Sequence, residues 1–167
     1  MGVKLYKGSS STKNNINVSL RDPINLERVD EFRNKRVKKT LEDLKGLDEE
    51  IYAWAAVSRI EKKIDSGDQI VFISQLDEEA LLFTYIKGVQ DENEEISDEV
   101  EWQGHGFKKV VFLKDKKTTN LTSEQFREAK NFVGAEYKSK GGFAGFKGYK
   151  QVLSGRERER LLKILNL

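Results

Sequence analysis

Apolar and polar residues along the chain fall into short stretches with two different periods. Ile16, Val18 and Leu20 alternate with Asn17 and Ser19, the period-two pattern of a half-buried strand, which Asp22-Pro23 ends. From Leu26 to Leu44 the apolar positions are Leu26, Val29, Phe32, Val37, Leu41 and Leu44, mostly at the spacing of one helical face. Asn25 suits the N-cap of that helix and Gly46 its C-terminal stop. Ile51 to Val57 reads as a buried strand, Arg59 to Ile64 as a short helical turn, and Ser66-Gly67-Asp68 as a turn. Gln69 to Ser74 and Leu81 to Val89 are strands paired as a hairpin through Asp77-Glu78-Glu79, and Val110 to Leu113 is a further strand. Ser123 to Phe132 predicts a helix capped by Thr122 or Ser123. Gly155 to Leu165 predicts an amphipathic helix carrying Leu161, Leu162 and Leu165. Residues 1–13, with Gly8-Ser9-Ser10-Ser11, read as a flexible tail. The elements together predict a single α+β domain over residues 14–167: a curved β-sheet or small β-barrel of five to six strands, flanked by three to four helices.

Composition removes whole classes of function. The chain has 167 residues, one domain's worth, and can bury about 70% of its unfolded surface. It contains no apolar run near the roughly 18 residues of a membrane span, and its first residues are too polar for a secretory signal. A cytoplasmic protein with no membrane partner is therefore expected. Cys is absent and His105 is the single histidine, so no disulfide, Cys nucleophile or multi-histidine metal site is expected, and no cofactor. The preference for Lys (21) and Glu (18) leans towards a thermophilic source.

Charge is unevenly spread. Residues 1–101 carry 15 Lys and Arg against 22 Asp and Glu, whereas residues 102–167 carry 15 against 6. A basic half suits a polyanionic partner, since Lys and Arg contacts to phosphate supply most non-specific nucleic-acid affinity. Residues 91–101 hold seven acidic groups and read as a mobile loop. Catalytic signatures are missing: there is no phosphate-binding lysine loop, no paired His and Glu metal motif and no nucleophile elbow. His105, between Gly104 and Gly106, lacks an orienting partner nearby in sequence, so the chain is not expected to be an enzyme.

Aromatics interleaved with bases remain. Trp54 lies in an apolar strand beside Ala55 and Ala56, followed by Ser58 and Arg59. Trp102 follows the acidic stretch and precedes Phe107. Two indoles facing one another can sandwich an extruded base, a stack worth about 1–3 kcal/mol. The stretch Tyr52-Ala53-Trp54, with Ile64-Asp65-Ser66-Gly67-Asp68-Gln69-Ile70-Val71-Phe72, resembles the EVE domain pattern of a Trp strand, a Gly-Asp turn and an apolar strand ending in an aromatic. Phe107, Val110-Val111-Phe112-Leu113, Phe143-Ala144-Gly145-Phe146-Lys147-Gly148-Tyr149 and the Leu-rich terminal helix are similar to the rest of that domain.

The resemblance implies a PUA/EVE-like fold within the superfamily that includes YTH domains. It also implies a non-catalytic reader that holds a flipped, modified base, N6-methyladenine or 5-methylcytosine in DNA, in an aromatic cage. Similar modules target modification-dependent restriction systems, including the archaeal McrB type, so a fused or partner GTPase/endonuclease is implied. The cage would comprise Trp54, Trp102 and Phe107, with Ser58 at the base edge. Arg59, Lys138, Lys140, Lys147 and Lys150 would contact phosphate. Phe72 and Tyr85 read as core. Three other readings stand beside this one: an RNA-binding PUA-like protein, an RNA- or base-modifying enzyme using His105, and a protein-interaction module docking through the 26–44 helix.

Overall fold

Five consecutive residues of the strand Gln69–Ser74, from Ile70 onward, are buried, so this strand is covered on both faces. A strand buried on both sides reads as a continuous apolar run rather than an alternation, which is why Ile70-Val71-Phe72-Ile73 carries no period. This strand belongs to a computed structural model that describes residues 1–6, 20–55, 64–74, 77–93, 95–96, 109–134, 149–151 and 155–167. The strands are β1 (Gly2–Tyr6), β2 (Tyr52–Ala55), β3 (Gln69–Ser74), β4 (Glu79–Gln90), β5 (Lys109–Asn120) and β6 (Tyr149–Gln151). Among the described residues a 3₁₀ helix (Leu26–Glu31) is followed by α-helices α1 (Lys35–Lys45), α2 (Ser123–Gly134) and α3 (Gly155–Leu165). The class is α+β, with an open, mainly antiparallel sheet and a few helices.

The chain divides into two compact units. The first comprises Met1–Lys13, Gly67–Thr84 and Asp115–Leu167; the second comprises Asn14–Ser66 and Tyr85–Lys114. In the first unit the strand order is β6-β1-β3-β4-β5. β3 and β4 form an antiparallel hairpin with Ile70 opposite Phe83 and Ser74 opposite Glu79. At the turn, Glu78 takes a left-handed backbone, φ 50°, and its carbonyl accepts from the Leu121 N–H. β1 runs parallel to β3, with Gly2 opposite Ile70, and antiparallel to β6. Residues 2–6 are thus a paired strand where the sequence predicts part of a flexible tail. Val3 is 1% exposed, and the pairing supplies backbone hydrogen bonds that a tail would take from water.

One core face of this unit gathers Val3, Val71, Ile73, Ala80 and Leu82 against α2 and α3. α2 contributes Phe126, Ala129 and Val133, and α3 contributes Leu161, Ile164 and Leu165, both at helical spacing. A reciprocal cap starts α2. The Thr122 hydroxyl accepts from the Gln125 N–H at 3.2 Å while the Gln125 Oε1 accepts from the Thr122 N–H at 2.9 Å. The Gln125 Nε2 also donates to the Ile164 carbonyl at the end of α3.

In the second unit the strand order is β2-β5-β4, with Tyr52 opposite Leu113 and Ala55 opposite Val110. The predicted helix from Leu26 to Leu44 is instead two helices. Asn25 caps the 3₁₀ helix as expected, but the chain turns extended at Phe32 and a second cap, Asn34, accepts from the N–H groups of Arg36 and Val37 to start α1. The break lets Val29 on one segment and Val37, Leu41 and Leu44 on the other reach a single core with Ile51, Ala53, Ile96, Val110 and Phe112. The described part of the predicted mobile acidic loop is held, too. The Asp91 carboxylate, fully buried, accepts from the N–H groups of Glu95 (3.1 Å) and Ile96 (2.8 Å). The Glu95 carboxylate accepts from the N–H groups of Arg33 and Asn34, at the junction between the helices. The predicted strand over residues 16–20 lies outside the described residues except for Leu20, which is buried in a turn, and the turn predicted at Arg59 to Ile64 lies outside them except for Ile64.

Candidate nucleic-acid interface

Trp54 is the proposed cage residue whose side chain is described. Its strand is short, and its pairing with β5 sets Trp54 opposite Val111. Alternation along β2 sends Ala53 into the core that α1 covers and Trp54 to the other sheet face. There the indole is 1% exposed, so it does not line an open cleft. Phe72 and Tyr85 are buried as expected, and Phe72 meets Phe83 edge to face at 5.7 Å. Lys150 lies in β6, its backbone opposite Val3 of β1. Trp102, Phe107, Ser58, Arg59, Lys138, Lys140, Lys147 and His105 lie outside the described residues.

A cavity of about 110 Å³ opens in the first unit between Glu78, Leu121, Thr122, Ser123 and Phe126. Ligand pockets usually measure roughly 300–1,000 Å³. With a single aromatic in its wall, this one cannot sandwich a base. Among the described residues no group of three His, Asp or Glu could hold a metal ion, and no helix is long and apolar enough to cross a membrane.

The two units use charge differently. The first carries 15 Lys and Arg against 10 Asp and Glu, net +5, and the second 15 against 18, net −3. Five cations of the second unit pair with nearby carboxylates. Lys38 pairs with Asp30 at 2.9 Å, Lys45 with Glu27 at 3.3 Å, Lys87 with Asp43 at 3.3 Å, Lys114 with Glu49 at 2.7 Å and Arg28 with Glu31 at 2.7 Å. The Lys38 hydrogen bond holds the Asp30 carboxyl below its ordinary value, and Asp30 in turn raises the Lys38 ammonium. In the first unit one ion pair forms among the described residues, a loose Arg127–Glu124 contact at 3.9 Å.

Sequence reasoning read the last helix through its leucines alone and passed over its polar face. Arg156, Arg158, Arg160 and Lys163 on α3 are exposed and form no ion pair among the described residues. The signal was legible in Arg156, Arg160 and Lys163, bases spaced four and three residues apart as on one helical face.

No family model, no curated protein and no solved structure matches this chain. The likeness to EVE domains stands on the motifs quoted above.

Proposed function

We propose that this protein is a non-catalytic nucleic-acid reader, which binds a flipped, modified base of DNA and serves as the targeting module of a modification-dependent restriction system. The observation that carries the reading is the segregation of charge: one unit of net +5, in which the α3 cations Arg156, Arg158, Arg160 and Lys163 form no ion pair among the described residues, and another of net −3. Phosphate contacts of that kind provide affinity without sequence preference, so discrimination must come from a base site. In this reading Trp54 supplies one wall of the cage, with Trp102 and Phe107 as the others, in a PUA/EVE-like curved sheet. The indole is 1% exposed, so a base reaches it only by displacing the atoms now packed on it.

The docking-module reading is less well supported, because Val29, Val37, Leu41 and Leu44 turn the apolar face of the 26–44 segment into the protein's own core. The test is a binding panel of otherwise identical oligonucleotides, as DNA and as RNA, bearing N6-methyladenine, 5-methylcytosine or no modification. Preference for one modified DNA supports the proposal. Equal binding to all, or preference for RNA, overturns the modified-DNA assignment, and any base change or strand cleavage overturns the non-catalytic one.

A further inference from the structure

The geometry of α3 points to a phosphate-contacting stripe that the motif resemblance does not supply. We infer that Arg156, Arg160 and Lys163 bind the phosphodiester backbone of nucleic acid, a role that rests on the reader assignment above. Leu161, Ile164 and Leu165 fix the helix orientation by packing into the core. Residues at i, i+4 and i+7 share a face, so Arg156, Arg160 and Lys163 form one exposed stripe flanking the buried side of the helix. At a rise of about 1.5 Å per residue the three cations span about 10 Å. A nucleic-acid strand in a duplex carries one phosphate per about 3.4 Å of axis, so three phosphates fall within the same length.

Arg160 is held ready. Its guanidinium lies over the Phe132 ring of α2, 5.2 Å from the centroid. That cation–π contact restricts a side chain that would otherwise lose its freedom only on binding, and it consumes none of the guanidinium's N–H donors. Glu159 borders the stripe one turn before Lys163, and Arg127 of α2 is engaged with Glu124. The stripe therefore keeps a net positive charge, and a polyanion is the partner it fits.

The test compares full-length wild type with Arg156→Ala/Arg160→Ala/Lys163→Ala, titrating salt against a modified DNA duplex and its unmodified twin. Removal of three phosphate contacts should flatten the slope of log K against log salt by about 2.7, so that raising salt from 50 to 200 mM weakens the variant about 40-fold less than wild type. The ratio between modified and unmodified duplex should stay as in wild type. Arg160→Ala also removes the contact with Phe132, so Arg156→Ala/Lys163→Ala, which leaves that contact in place, should flatten the slope by about 1.8. If wild type binds and both variants keep its slope, this inference is overturned and the reader assignment stands. If wild type binds no nucleic acid at low salt, or binds only anionic vesicles, both are overturned.

Discussion

Replacing Asp91 by alanine should destabilise the second unit by about 2–4 kcal/mol. Two bonds are lost at once, from the N–H groups of Glu95 and Ile96. Each bond to a charged acceptor is worth about 1.5–3 kcal/mol. Water can replace the bond to the part-buried Glu95 N–H but not readily the one to Ile96, whose residue is 1% exposed, and the estimate is reduced accordingly. The loss should spread, because the turn that Asp91 holds also aims Glu95 at the Arg33 and Asn34 N–H groups. Both tryptophans of the chain fall within the second unit, so tryptophan fluorescence in urea follows that unit. With a slope of about 2 kcal/mol per molar, the midpoint should drop by about 1–2 M. Glu95→Gln alone should cost less. The double variant should fall short of the sum by at least about 0.5 kcal/mol, since the two carboxylates act in series. Strictly additive effects, with Asp91→Ala costing under about 1 kcal/mol, would refute the clamp and return the acidic stretch to a solvated loop.

Trp54→Ala should lower stability by about 3–5 kcal/mol, whereas Trp54→Phe should keep most of the stability and weaken binding of the modified base; full stability in Trp54→Ala with lost discrimination would place the indole outside the core. Thr122→Ala should cost about 1 kcal/mol in thermal unfolding, and Gln125→Ala more, because Gln125 also bonds α3. Burial, and then the hydrogen bond to Glu50, push the Tyr52 hydroxyl up to about 12. A pKa raised in the folded state adds stability that is complete below the unfolded value near 10 and is lost as pH rises through about 12, so ultraviolet titration should show one tyrosine ionising late and Glu50→Gln should bring it earlier.

How much could be read in advance depended on whether an element's signal was local. β3 was legible to the residue because its own apolar run defines it, and α3 because Gly155 precedes a helical period. β5 was read as Val110 to Leu113 but continues to Asn120. The extension, Lys114-Asp115-Lys116-Lys117-Thr118-Thr119-Asn120, has no apolar alternation and is a strand through its place in the sheet. Asp115 within it takes a left-handed backbone, φ 55°, a conformation no strand propensity foretells. β1 shows alternation at Val3 and Leu5, but over too few residues to outweigh the Ser-rich stretch behind it. The Glu95 clamp joins groups far apart in sequence, and the Asp91 clamp, although local, has no signature in a run of acidic residues, so composition registered only their charge. Of the cage, Trp54 was placed correctly on a strand, but its burial depends on packing that no sequence window contains.

The position of β1 bears on how the chain assembles. Gly2 lies opposite Ile70 on one side and Gln151 on the other, so β1 leaves the ribosome long before β6, the strand that completes its pairing. At about 5–20 residues per second, the wait between them is on the order of ten seconds. Through that interval a β1–β3 pair has an unpaired edge, the kind of surface on which nascent chains associate with one another. Contacts of such long range also slow folding, since loop closure precedes any gain from pairing. Rapid overexpression should therefore favour inclusion bodies, and slower synthesis should recover soluble chain.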